Sequence, residues 1–484
     1  MTHAFRLVEA TSEPPEALSW ISVARNAPYF VDEAGRPFTP IGQNDAVSWT
    51  ELRGLRHRRD LPAVENHLIW LRDNGVTVLR LMLEYAQGPS SYFEKPYGRF
   101  VPAMVQLWDD LFALCEKVGI RILLTPVDTF WTWVRWKHHP YNQANGGPLD
   151  HPSRLLLCGD TREGIKRRLR FAAERWGASP ALFAWDLWNE IHPAQAQESA
   201  DNFDEFIHDL SMTVRGTELA LFRRSHPQTV SLFGPELRIR GHMPLRDPIF
   251  RHPDLDFASI HIYGTGTIDH PKDTVAPAVT MGRIVRECLA EITDGRPFFD
   301  SEHGPIHTFK DRKRTLDEPF DDEYFRHTQW AHFASGGAGG GMRWPNRHPH
   351  ALTRGMRASQ AALSRFLPLI DWTTFRRVNL NEEVRTSRPA VTRFACGDER
   401  QAIVWLLRRT TFAGDGRLRK DAPPLTTEVR VPGLSAGHYV ITAWDTEAGE
   451  ARGSWEASAR DGSLQFETPP FTRDLAFAIR RTDL

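Results

Sequence analysis

From residue 28 to about residue 370, two hydrophobic periods alternate along the chain. Runs that are apolar at almost every position have the texture of buried parallel strands. Stretches with an apolar residue every three or four positions have that of amphipathic helices. PYFVDEAGRPFTPIGQN (28–44) predicts a hairpin turning at Gly35, then a strand ending at Gly42. Leu61, Val64, Leu68 and Leu71 keep helical spacing until Gly75. VTVLRLML (76–83) reads as a strand with one charge, Arg80, inside it. Met104, Leu107, Trp108, Leu111, Leu114, Cys115 and Val118 form the next helical stripe, closed by Gly119, and IRILLTPV (120–127) the next strand.

A long aromatic, His-, Pro- and Gly-rich loop follows over 128–159, and loops of that length are usually functional. Asp160 and Glu163 then form a capping pair for a helix whose buried face is Ile165, Leu169, Ala172, Ala173 and Trp176. FAWDLWNEIHP (183–193) is an apolar run broken at its end by Asn189, Glu190 and His192. The alternation continues with a helix over 201–224, strands over 229–234 and 256–264, a helix over 275–292 and a strand over 297–304. A helix over 321–334, a glycine-rich strand over 337–344 and a helix over 352–366 complete it. Counted from Phe38, these make eight strand–helix pairs, the fifth helix having the weakest stripe. The prediction is an α/β fold, a (β/α)8 TIM barrel over 28–370 preceded by a lead-in segment at 1–27. After Trp372 the texture changes to short β-rich runs (AIVWLLRR, TTEVRVPG, HYVITAWDT, SLQFET, LAFAIRR), which predict an all-β sandwich over 375–484.

Composition narrows the function classes. Sixty Lys and Arg against 61 Asp and Glu leave no basic excess for nucleic acid. No apolar run is long enough to cross a bilayer, and the start has no signal-peptide core, so a cytoplasmic location is expected, with secretion the alternative if the start was trimmed. Cys115, Cys158, Cys288 and Cys396 are widely spaced, which predicts neither a disulfide framework nor a zinc site. His138-His139 and Arg347-His348-Pro349-His350 read as polar loop residues, H-E-x-x-H is absent, and GGAGGG does not match a dinucleotide loop. No metal or cofactor is therefore expected. Of the 16 tryptophans, Trp49, Trp131, Trp133, Trp136 and Trp344 stand among loop residues, where a flat ring suits stacking on a sugar face.

Active sites of such barrels lie at the C-terminal ends of the strands. The polar residues there are Asn44 and Asp45, Arg80, Asp128, Asn189 and Glu190, His261 and Tyr263, Glu302 and His303, and Arg343 with Trp344. Glu190 and Glu302 end strands four and seven, which face each other across a barrel. Two carboxylates over one cleft are what glycosidic bond hydrolysis requires, one protonated to donate to the leaving oxygen and one ionised to attack the anomeric carbon. Arg80 points inward by strand parity and could hold Glu302 ionised. His261 and Tyr263, two apart on one face, could serve either acid.

WNE ending a fourth strand and SEHG ending a seventh resemble clan A glycoside hydrolases, the group around family 5 cellulases and mannanases. The resemblance covers about 28–370, and the opening YFVDEAGRPFTPIGQN and the linked sandwich also resemble this group. It implies a retaining enzyme acting on a β-linked oligosaccharide or glycoside, with Glu190 as acid/base and Glu302 as nucleophile. It further implies that Arg80 contacts the nucleophile, that His261 and Tyr263 are the strand-six pair, that Asn189 binds the sugar 2-hydroxyl and that Trp344 lies under the sugar. Many family 5 members carry a His after strand three, where this chain reads PVDTFW with Asp128 in that place. With Asn44, Trp131 and Trp133 these are the expected substrate-binding residues. Three other readings use the same residues: a transglycosylase, a non-catalytic carbohydrate-binding barrel, and a metal-dependent barrel hydrolase.

Overall fold

The computed structural model describes residues 17–84, 92–264, 271–305, 315–347 and 349–482. The first sixteen residues of the expected lead-in, and His348, lie outside them. Parallel strands Gly42–Asp45, Val78–Met82, Arg121–Thr125, Leu182–Asp186, Ala258–Ile262, Phe298–His303 and Met342–Arg343 form a barrel with a fifth strand split into two short segments, Gln228–Thr229 and Ser231–Phe233. The first segment pairs with strand four through Trp185 and Asp186, and the second with strand six through Ser259, Ile260 and His261. Strand eight pairs with strand one through Met342 and Gly42. These pairings close a (β/α)8 TIM barrel.

The helices follow local signals. Asp60 accepts a hydrogen bond from the Ala63 amide and Pro62 sits in the first turn of Leu61–Asp73. Gly119, at φ 94°, ends Pro102–Val118 in the left-handed region. Gly159–Trp176, Phe203–Phe222, Ala276–Glu291, Glu318–Ala334 and Arg354–Phe366 lie close to the expected ranges. Between strands five and six there are only two short helices, Glu236–Ile239 and Arg246–Phe250, in keeping with the weak stripe there.

Two strands differ from the expectation. The barrel's first strand begins at Gly42, where the sequence reading ended it. Its residues are polar yet buried, because partners from the last helix meet them: Gln360 donates to the Gly42 carbonyl at 2.7 Å and Arg357 to Gln43 Oε1 at 2.7 Å. The expected hairpin instead joins Ile21–Val23 in a three-stranded antiparallel sheet of its own. It covers the N-terminal end of the barrel, with Phe30 edge-on to Phe183 at 5.0 Å and to Phe257 at 5.5 Å. Strand eight is only Met342–Arg343, since Gly336, Gly339 and Gly341 take positive φ and break extended pairing.

Beyond residue 377 the strands form two antiparallel sheets, one of six strands and one of three, around their own apolar core containing Val404, Val429, Ile441 and Phe477. The larger sheet packs on the last barrel helices, with Trp405 5.8 Å from His327 and Trp444 5.7 Å from Phe366.

At Gly42 strand one lies close against strand two. A Cβ there would stand 1.7 Å from the Val78 carbonyl oxygen. Gly42→Ala is expected to destabilise the barrel by at least about 2 kcal/mol, read as a lowered Tm in calorimetry.

Candidate active site

A single guanidinium organises the C-terminal end of the barrel. Arg80 has no exposed side-chain surface, and a buried cation must be paired. Its Nη2 donates to Asp186 Oδ2 at 2.6 Å and to Asn189 Oδ1 at 2.6 Å. Its Nη1 donates to Asn44 Oδ1 at 2.7 Å and Glu302 Oε2 at 3.0 Å, and its Nε to Asp186 Oδ2 at 3.2 Å. All five guanidinium donors are thus used. Asp186 is held in turn by the Ser231 amide and hydroxyl, each at 3.0 Å.

Glu302 reaches this cluster through an irregularity. Ile260 pairs with Asp300, but His261 pairs with Glu302, so Ser301 is an extra residue in strand seven. In regular pairing Ser301 would stand opposite His261 and Glu302 would face the helices. The bulge turns Glu302 inward, where Tyr263 donates to Oε1 at 2.6 Å and Arg80 to Oε2.

Glu190 comes from the other wall. Past Asp186 the chain remains anchored on both sides, by Leu187 to the Thr229 carbonyl, Asn189 to Val127 and Ile191 to Ser231. Glu190 itself takes φ 52°, a strained conformation for a non-glycine residue. His261 Nδ1 lies 2.7 Å from Glu190 Oε1 and 3.5 Å from Glu302 Oε2. The closest oxygens of the two carboxylates are within 4.8 Å.

The two acids have different surroundings. Burial pushes Glu190 up to about 7, with Arg80 opposing and Asp186 and Glu236 adding to the rise, although 19% of its side-chain surface stays exposed. Burial also raises Glu302 and the Glu190 charge adds to the rise, while Arg80 and the Tyr263 hydroxyl oppose it. Burial lowers His261 to about 4, so the ring is neutral at pH 7. Its Nε2 has no partner among the described residues. The Nδ1–H tautomer fits, because an unpartnered lone pair costs less than an unpartnered N–H. Glu190, His261 and Glu302 offer donor atoms of a metal-binding type. The Arg80 charge on Glu302 opposes a second cation there.

A cavity of about 510 Å³ opens over these groups, lined by Asp128, Asn189, Glu190, Tyr263, Glu302, Trp344 and Trp133 among the expected residues. Arg80, Asn44 and His261, expected to bind substrate, stand behind this lining. Asn44 donates to the carbonyls of Ser301 and Met342 and braces strands one, seven and eight. Asp128 clamps the site, accepting from Asn189 Nδ2 at 2.6 Å and capping a short helix, Thr129–Val134, through the amides of Phe130 and Trp131. That helix occupies the start of the expected loop. Its turn points Trp131 away from the cavity, against Tyr92 at 5.6 Å, while Thr129, Phe130, Trp133 and Val134 face the cavity. The 129/130/133/134 spacing was a readable signal for this face. Asp186, a lone charge inside an apolar strand, was another. Phe233 and Glu236, also in the lining, gave none.

No protein-family model and no curated protein matches the sequence. Solved structures do resemble the fold. One described as a glycoside hydrolase aligns with a TM-score of 0.59 at 13% identity, over 96% of this chain and 98% of that one. A glycoside hydrolase family 5 protein from Bacteroides vulgatus aligns at 0.57 and 13% identity, over 96% and 94%. A family 5 mannosidase from Rhizomucor miehei aligns at 0.50 and 14%, over 68% and 86%. At these identities the likeness establishes the barrel with its C-terminal β-sandwich.

Raising an acid from its ordinary value near 4.5 to about 7 has a stability consequence. Between those values the folded chain binds more protons than the unfolded one, so stability falls as pH rises through that window. Glu190→Gln should therefore be more stable than the parent at pH 8, on the order of 2 kcal/mol, and about equal to it at pH 4, as followed by calorimetric Tm.

Proposed function

We propose that the protein is a retaining glycoside hydrolase acting on a β-linked substrate, with Glu302 as nucleophile and Glu190 as acid/base. The observation that carries this reading is the pair of carboxylates from facing strands over one cavity, their closest oxygens within 4.8 Å and the two groups unequally held. Retaining enzymes need a separation of about 5–5.5 Å, whereas inverting ones need roughly 6.5–9.5 Å to admit a water.

The chemistry follows from the partners. Arg80 and Tyr263 each hold one oxygen of Glu302 and favour its charged form, so it attacks the anomeric carbon as a carboxylate. Glu190, poised near neutrality, gives its proton to the glycosidic oxygen as the carbon–oxygen bond breaks and the alcohol departs. His261 donates through Nδ1 to one Glu190 oxygen and leaves the other for the substrate. The glycosyl ester on Glu302 is then cleaved by water, which Glu190, now ionised, deprotonates. The sugar is released with its starting configuration. Asn189, fixed by Arg80 and Asp128, and Trp344 complete the glycone side as hydroxyl partner and ring platform.

Two outcomes test the assignment. kcat/KM should fall about tenfold per pH unit above about 7, as Glu190 of the free enzyme loses its proton. Glu302→Ala should lose at least about a thousandfold in kcat/KM and, with azide, form a glycosyl azide of inverted configuration. Glu190→Ala with azide should form the retained one. Full activity in Glu302→Ala would refute the assignment.

A further inference from the structure

The cavity lining on the Glu190 side bears on the leaving group. In a double displacement the departing alcohol lies on the side of the acid that protonates it, here Glu190 on strand four. The elements flanking strand four are the loop after strand three and the end of strand five. They supply Phe130, Trp133, Val134 and Phe233 to the cavity, and Ala194 follows Glu190 on the same wall. Phe130, Trp133 and Val134 are 42%, 47% and 50% exposed, high values for large apolar side chains.

The polar side chains on this wall are already committed to each other. Thr129 donates to Gln195 Oε1 at 2.9 Å and accepts from Trp188 Nε1 at 2.7 Å, while Gln195 Nε2 donates to Thr132 at 2.5 Å. His192 accepts from the Ala194 amide at 3.0 Å and turns its other nitrogen toward Glu236, which Arg240 holds at 2.7 Å. A second sugar on this side would bring several hydroxyls that need partners, and the wall offers mainly carbon. Trp133 offers a face for a sugar ring, but Val134, Phe130 and Phe233 add aliphatic and phenyl surface to the same lining.

We infer that the leaving group is an apolar aglycone, an alkyl or aryl alcohol, rather than a second sugar. This rests on the retaining-hydrolase reading and deepens it.

The test is a series of β-glycosides with one glycone, the one selected by a screen of nitrophenyl glycosides. The aglycones are methyl, butyl and octyl, together with a disaccharide of the same glycone. The alkyl alcohols differ little as leaving groups, and kcat/KM reports the step in which the alcohol departs. Each methylene of the first several should raise kcat/KM about three- to fourfold. The octyl glycoside should exceed the disaccharide by at least about tenfold. In the double variant Phe130→Ser, Val134→Ser the octyl-to-methyl ratio should fall by about tenfold or more; both side chains are about half exposed and lie outside the buried core. A flat alkyl series, or preference for the disaccharide, overturns the apolar aglycone and leaves the hydrolase reading in place. Cleavage of no glycoside at all overturns both.

Discussion

A guanidinium buried without access to water sets the terms for the upper end of this barrel. An isolated cation there would cost many kcal/mol, so the fold must surround Arg80 with acceptors or fail. It does so with Asn44 from strand one, Asp186 and Asn189 from strand four and its continuation, and Glu302 from strand seven. One side chain thus ties together staves that are far apart in sequence. Because Asp186 is the foremost counter-charge, Glu302 can keep an edge toward the cavity while still bound to Arg80.

The same cluster separates the two glutamates chemically. Glu302 has a hydrogen bond to each oxygen, and both favour the anion. Among the described residues the Glu190 carboxyl is hydrogen-bonded only to His261, a neutral ring, and it lies near Asp186 and Glu236, whose charges oppose its ionisation. The left-handed backbone at Glu190 persists because neighbouring strands fix the residues on both sides of it. Strain and unfavourable burial are therefore concentrated on the proposed acid, where a protonated carboxyl at neutral pH is required.

Much of this was legible in the sequence, for identifiable reasons. Strand–helix periodicity is a direct consequence of burial, so the barrel and its late sandwich could be read from it. Polar residues at strand ends are expensive unless used, and so Arg80, Glu190, Glu302, His261 and Tyr263 stood out. What could not be read was set by tertiary partners. GQND does not look like a barrel strand until Arg357 and Gln360 arrive from more than three hundred residues away. Side-chain depth was also hidden. Asn44 and His261 belong to the support rather than the lining, and the turn capped by Asp128 decides that Trp133 faces the cavity and Trp131 does not.

The extra residue in strand seven makes this site depend on counting as well as on chemistry. Side chains of a strand alternate with strict parity, so a single deletion between Phe298 and Glu302 would send the carboxylate to the opposite face. Amino-acid content and average hydrophobicity would barely change. This strand can therefore drift by exchange of residue types but not by gain or loss of one, while the neighbouring loops can lengthen or shorten without that penalty. Length invariance within strand seven, more than residue identity, would be the evolutionary fingerprint of the bulge at Ser301.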